Sequence, residues 1–128
     1  MLNLIRFIKD NKEDYEKLKN IESEKRAIAN RFINKALEWL KPLEQQGLIS
    51  ISVKNEKCKH DLDLIDFGVK ALGKTIWIRQ ITSPEVFEIR IGQTSIFYKD
   101  GIWIHPERGA HEVNEDVFDE ILVDELMN

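Results

Sequence analysis

The segment Phe87–His105 reads FEIRIGQTSIFYKDGIWIH and carries its own turn chemistry. Asp100-Gly101 tolerates positive φ at both central positions of a two-residue hairpin loop, and Gly92-Gln93 suits the type II′ turn, with glycine first. Three strands in a meander are therefore expected. The turns set the registers: Phe97 opposite Ile104, Tyr98 opposite Trp103, Ile96 opposite His105, Ile89 opposite Ile96, and Phe87 opposite Tyr98. One face then holds Phe87, Ile89, Ile91, Thr94, Ile96, Tyr98, Trp103 and His105, and is expected to be the core face. The other holds Val86, Glu88, Arg90, Ser95, Phe97, Lys99, Ile102 and Ile104. Its apolar members gather toward Asp100-Gly101 and call for a second cover, either a C-terminal helix or a partner.

The cover for the first face is a helix. Asp10-Asn11 offers an N-cap to a run rich in helix formers that has no Gly or Pro before Pro42, so a helix is expected from Lys12 to Leu40. Residues 2–8 fit a short helix or an extended segment equally well. Pro42 is expected to end or kink the helix, and Gly47 to stop it. Tyr15, Leu18, Ile21, Ile28, Phe32, Ala36, Trp39 and Leu43 recur at helical spacing. From Ile28 onward Ala29, Ile33, Leu37 and Leu40 widen this stripe into a face suited to a sheet; before it the stripe is narrow and bordered by Lys and Glu. A helix of roughly thirty residues spans about 45 Å, more than the width of so small a domain, so its N-terminal half is expected to overhang. Lys25 interrupts the heptad, and a break near Asn20 is the alternative that would fold the overhang away.

Further strands are expected at Leu48–Val53, Asp61–Lys70 and Lys74–Thr82. Asn55–His60, Ala71–Lys74 and Ser83-Pro84-Glu85 serve as connections. The alternation slips between Leu64 and Ile65, which predicts a bulge or a strand covered on both faces. Residues 106–112 read as irregular. Asn114 is an N-cap for a short helix to Met127, with Glu115 and Asp116 at its positive start and Val117, Phe118, Ile121, Leu122 and Leu126 on one side. The expected class is α+β in a single domain of residues 1–128. A long N-terminal helix (helical region 1–46) packs on an antiparallel sheet of five to six strands (48–105), mostly a meander, with a short C-terminal helix (114–127).

Charge is distributed unevenly. Residues 1–46 carry ten Lys/Arg against eight Asp/Glu, residues 47–110 nine against eight, and residues 111–128 none against seven, for a net charge of −4. That balance disfavours DNA and RNA as partners. The single cysteine, Cys58, forms no intramolecular disulfide, and no run approaches membrane-spanning length, so a reducing, cytoplasmic location without membrane attachment is expected.

Few residues suggest chemistry. Cys58, His60, His105 and His111 are potential zinc ligands, but Cys-x-His and His-x5-His are not strong metal spacings. Asp61, Asp63 and Asp66 followed by Glu88-Ile-Arg90 resembles the acidic arrangement of metal-dependent nucleases, with Arg90 where that arrangement carries lysine. A cross-strand ion pair accounts for Glu88 and Arg90 more simply. Trp77, Trp103, Tyr98 and Phe97 are aromatic residues a base platform would use, and core packing claims most of them. No cofactor or metal is expected. The reading is a non-catalytic protein-binding module of the inhibitor, immunity-protein or chaperone-like kind, forming a homodimer or binding another protein. Its contact residues are Tyr15, Leu18 and Ile21 on the overhang and Phe97, Ile102 and Ile104 on the mixed sheet face. The competing reading is a small metal-dependent nuclease using Asp63, Asp66 and Glu88.

Overall fold

Helix α1 occupies Leu2–Gln45, an unbroken 44 residues. The computed structural model describes residues 1–58, 62–82, 86–109 and 111–128. Asn11 is inside the helix rather than its cap, its Nδ2 donating to the Phe7 carbonyl one turn back at 2.8 Å. There is no break at Asn20, and Pro42 does not end the helix. The stop is at Gly47, whose φ of 75° turns the chain. Gly47 N–H then donates to Glu44 O and Leu48 N–H to Leu43 O, satisfying the last carbonyls in a Schellman arrangement. That second bond occupies Leu48, and the first strand begins at Ser50 instead of Leu48.

The strands are β1 Ser50–Lys57, β2 Asp63–Ala71, β3 Lys74–Ile81, β4 Glu88–Ile91, β5 Thr94–Lys99, β6 Ile102–His105 and β7 His111–Glu112. They form one open antiparallel sheet in chain order. The expected polar connection at Asn55–Lys57 is instead strand, paired with Asp63–Ile65. No bulge interrupts β2, since its register with β1 is continuous from Lys57↔Asp63 to Ser50↔Lys70. Ile65, Phe67 and Val69 share the core phase, and Leu64 lies on the opposite face. The sheet gains a seventh strand where irregular structure is expected over 106–112: Pro106–Arg108 form a 3-10 turn and His111-Glu112 return to pair with β6. The expected turn at Ser83-Pro84-Glu85 lies outside the described residues.

Both hairpins of the meander have the expected registers, with Phe97↔Ile104, Tyr98↔Trp103 and Ile89↔Ile96. Asp100 and Gly101 both have positive φ. Ile89, Ile91 and Ile96 are fully buried on the face that α1 covers. Phe32 packs against Trp103 at 5.6 Å between ring centroids, while Asn30, round the same turn, reaches Asp63 O on β2. The sheet therefore bends around α1.

Helix α2, Glu115–Met127, starts at Asn114, whose side chain accepts the Val117 N–H. It lies on the same face as α1: Phe118 packs on Phe32 and Trp39, and Phe118 and Ile121 are fully buried. Glu125, 6% exposed, latches the helix down by accepting the Gln93 N–H and the Thr94 hydroxyl, while Lys74 Nζ donates to its carbonyl. A Cβ on Gly92 would run into the Glu125 carboxylate, which is why this turn needs glycine on packing grounds as well as for its φ of 60°.

The β2–β3 turn holds a testable strain. Leu72 sits at φ 52° with 97% of its surface exposed, so its side chain contributes no packing in return for a left-handed backbone. Leu72→Asn is expected to raise the unfolding free energy by about 1 kcal/mol in urea titrations, because Asn tolerates that conformation far better than a branched aliphatic residue.

Candidate functional site

Residues 2–21 of α1 are all exposed, and burial begins with Arg26 and Ala29. The exposed portion is the overhang, and it begins at Leu2 rather than Lys12. Residues 2–21 alone extend about 30 Å at the usual helical rise. Tyr15, Leu18 and Ile21 lie on it, with Leu4, Ile5, Phe7 and Ile8 beyond them, each close to or above half exposed. No helix among the described residues is long and apolar enough to cross a membrane.

A buried polar network marks the point where α1 leaves the sheet. Arg26, 4% exposed, donates through Nη1 to Gln80 Oε1 at 2.6 Å. Gln80 Nε2 donates in turn to Asn30 Oδ1 at 2.5 Å and to Ile65 O at 2.9 Å. Asn30 Nδ2 donates to Asp63 O at 3.0 Å. Gln80 has the apolar phase of β3, continuing Ile76 and Ile78, and Arg26 has the phase of Ala29, Ile33 and Ala36 on α1; those two misfits are the trace of the network in the sequence. Arg26 Nε has no hydrogen-bond partner among the described residues.

Phe97, Ile102 and Ile104 share the outer face, as their register requires. Because α2 lies on the other side, no helix among the described residues covers them; Ile102 is exposed and Phe97 and Ile104 are half-buried. On the β1–β3 part of this face Trp77 stands over Gly68, with Lys54 Nζ 4.6 Å and the Arg79 guanidinium 5.3 Å from its ring centroid. Tyr98 and Trp103 are on the core face, so the four candidate platform aromatics are divided between faces. A cleft of about 410 Å³ between α1 and the β5–β6 hairpin is lined by Arg31, Lys35, Trp39 and Tyr98 among others.

The acidic residues do not converge. Asp63 takes the phase of Ile65 and binds Lys57 Nζ at 2.7 Å. Asp66 and Glu88 point to the outer face with β3 between their strands. Glu88, buried, accepts from Arg90 Nη2 at 3.1 Å and from the Ser95 hydroxyl at 2.6 Å. The ion pair therefore lies within β4, between side chains two residues apart on one face, and not across strands as expected, because Ile81 and Phe97 are the residues opposite Glu88. Asp66 Oδ1 accepts the Gln80 N–H at 3.0 Å. His105 and His111 face each other across β6 and β7, and the Cys58 thiol donates to Leu62 O at 3.3 Å. His60 and Asp61 lie outside the described residues. Among those described, no three His, Cys, Asp or Glu side chains are grouped so as to hold a metal ion.

Comparison of the chain with protein-family models, curated proteins and solved structures finds no match.

Two measurements probe the network. Gln80→Ala strands Arg26, Asn30 and the Ile65 carbonyl together, and should cost about 2–4 kcal/mol in denaturant unfolding. Burial pushes the Asp66 carboxyl above its ordinary 3.8, opposed by the Gln80 N–H and by Arg79. A carboxyl whose folded pKa is raised contributes stability that is full below 3.8 and is lost as pH rises through the folded value. Asp66→Asn keeps the acceptor for Gln80 N–H and cannot ionise. Its unfolding midpoint should exceed that of the parent at pH 7 and converge with it in acid.

Proposed function

We propose that the chain is a non-catalytic protein-binding module, of the inhibitor, immunity-protein or chaperone-like kind, acting through the exposed arm of α1. One observation carries this reading: residues 2–21 continue the core-packing helix as exposed helix bearing large apolar side chains. Isolated helices of this length are marginal in water, and an apolar stripe left in solvent adds nothing to their stability. Here the core-anchored part of α1 supplies the helical nucleus, and a bound protein supplies the missing burial. Tyr15, Leu18 and Ile21 are contact residues on the arm. Phe97, Ile102 and Ile104 form a second, smaller contact, consistent with the outer face having no helix over it. Self-association and a cytoplasmic location belong to the same reading.

The competing nuclease reading would use Asp63, Asp66 and Glu88. The strand between Asp66 and Glu88, and the opposite phase of Asp63, weigh against it.

Affinity capture from the native host, quantified by mass spectrometry, tests the arm. Leu18→Glu should lose bound protein by more than tenfold while the unfolding free energy of the free chain stays within the spread expected for a surface change, about ±0.5 kcal/mol. Asp63→Ala with Glu88→Ala should leave capture intact. Equal capture by the wild type and Leu18→Glu would refute the proposal.

A further inference from the structure

Resting on the arm as the contact surface, we infer that its occupant is a second copy of this chain. The two arms lie antiparallel and pair along residues 1–21 across a two-fold axis near Asn11.

The phase of the helix supplies the first step. Ile8, Asn11, Tyr15 and Leu18 stand eighteen residues before Arg26, Ala29, Ile33 and Ala36, all four of which are buried. Eighteen residues are five turns of α-helix, so both sets project from the same side of α1. No Gly or Pro precedes Pro42 to bend the helix between them. Over residues 26–40 that side faces the sheet. Over the arm, the layer that the sheet would occupy lies beyond the strand ends, and the side chains entering it are exposed: 54% for Ile8 and 57% for Leu18.

That layer also decides the direction. A helix packed on the arm sits about 8–10 Å away, axis to axis, in the plane where the sheet continues. A parallel partner would run on past residue 25 with its own sheet on its inner side, and two sheets would then compete for one layer. Asp14 and Lys19 have the spacing to match across such a parallel pair, but the sheets block it. An antiparallel partner places each sheet beyond the far end of the other arm, so every part of the layer is filled once.

The stripe is also self-complementary. With residue 1 of one arm against residue 21 of the other, Leu4 meets Leu18 of the second copy and Asn11 meets its own equivalent. Asn11 Nδ2 already donates to Phe7 O, and Oδ1 remains as an acceptor. The one polar residue of the stripe then lies at the symmetry axis, where a seam Asn can fix register. Leu4, Phe7, Ile8, Tyr15, Leu18 and Ile21 from each arm, at roughly 60–120 Å² apiece, bury on the order of 1,000 Å², the size a specific interface requires.

The test uses the full chain with Cys58→Ser, in which the serine hydroxyl can donate to Leu62 O as the thiol does. Leu4→Cys and Leu18→Cys variants are oxidised separately and as an equal mixture. The expected result is a covalent dimer joining position 4 to position 18 in the mixture, at least tenfold above either variant alone. Light scattering on the native chain should give the dimer mass, and Leu18→Glu the monomer mass. Cross-linking of Leu4→Cys to itself would overturn the antiparallel arrangement, and a dimer surviving Leu18→Glu would overturn the arm as its interface. A native monomer whose capture of another protein is abolished by Leu18→Glu would overturn the self-pairing and leave the arm reading intact. If Leu18→Glu changed neither mass nor capture, both would fall.

Discussion

The side-chain amide of Gln80 is where helix and sheet are tied. It accepts from Arg26 and donates to Asn30 and Ile65, so one residue near the end of β3 fixes α1 against both β2 and β3. Burying a guanidinium is costly, and these hydrogen bonds offset part of the cost. Their position matters more than their sum. N-terminal to Arg26 the helix has no buried residue, so this network sets the direction in which the arm leaves the domain.

The second constraint is that both helices crowd onto one face. Phe118 packs on both Phe32 and Trp39, and Glu125 closes the far end of α2 over the β4–β5 turn. The bend of the sheet brings Trp103 to Phe32 and lets one helix touch strands from both sides of it. A two-layer arrangement follows, with the outer face left without a helical cover.

What could be read from the residues divides along a physical line. The β2–β3, β4–β5 and β5–β6 hairpins, the Asn114 cap and the Gly47 stop are local chemistry, each decided within a few residues, and each is where its side chains indicate. Tertiary choices were less legible. The stripe drawn through Ile21, Ile28 and Trp39 runs along one flank of the buried face, whose centre is Ala29, Ile33, Ala36 and Leu40, because small alanines carry little pattern weight while allowing the closest approach. The start of α1 was obscured by Asp10-Asn11, a good cap that the preceding helical turns overrode. Which face α2 would take depends on the bend of the sheet, and no local signal encodes it. The arm was visible as an overhang, but its alignment with the core-packing side needed the continuous helix.

An open sheet also has two borders, and they differ. β7 ends one side with only two residues, too short a template for another strand. β1 ends the other with eight, and carries Lys54, Glu56 and Lys57 along that rim. Charged side chains on an outermost strand discourage a foreign chain from extending the backbone ladder. Edge-to-edge growth into fibres is thus resisted at both borders, by brevity at one and by charge at the other.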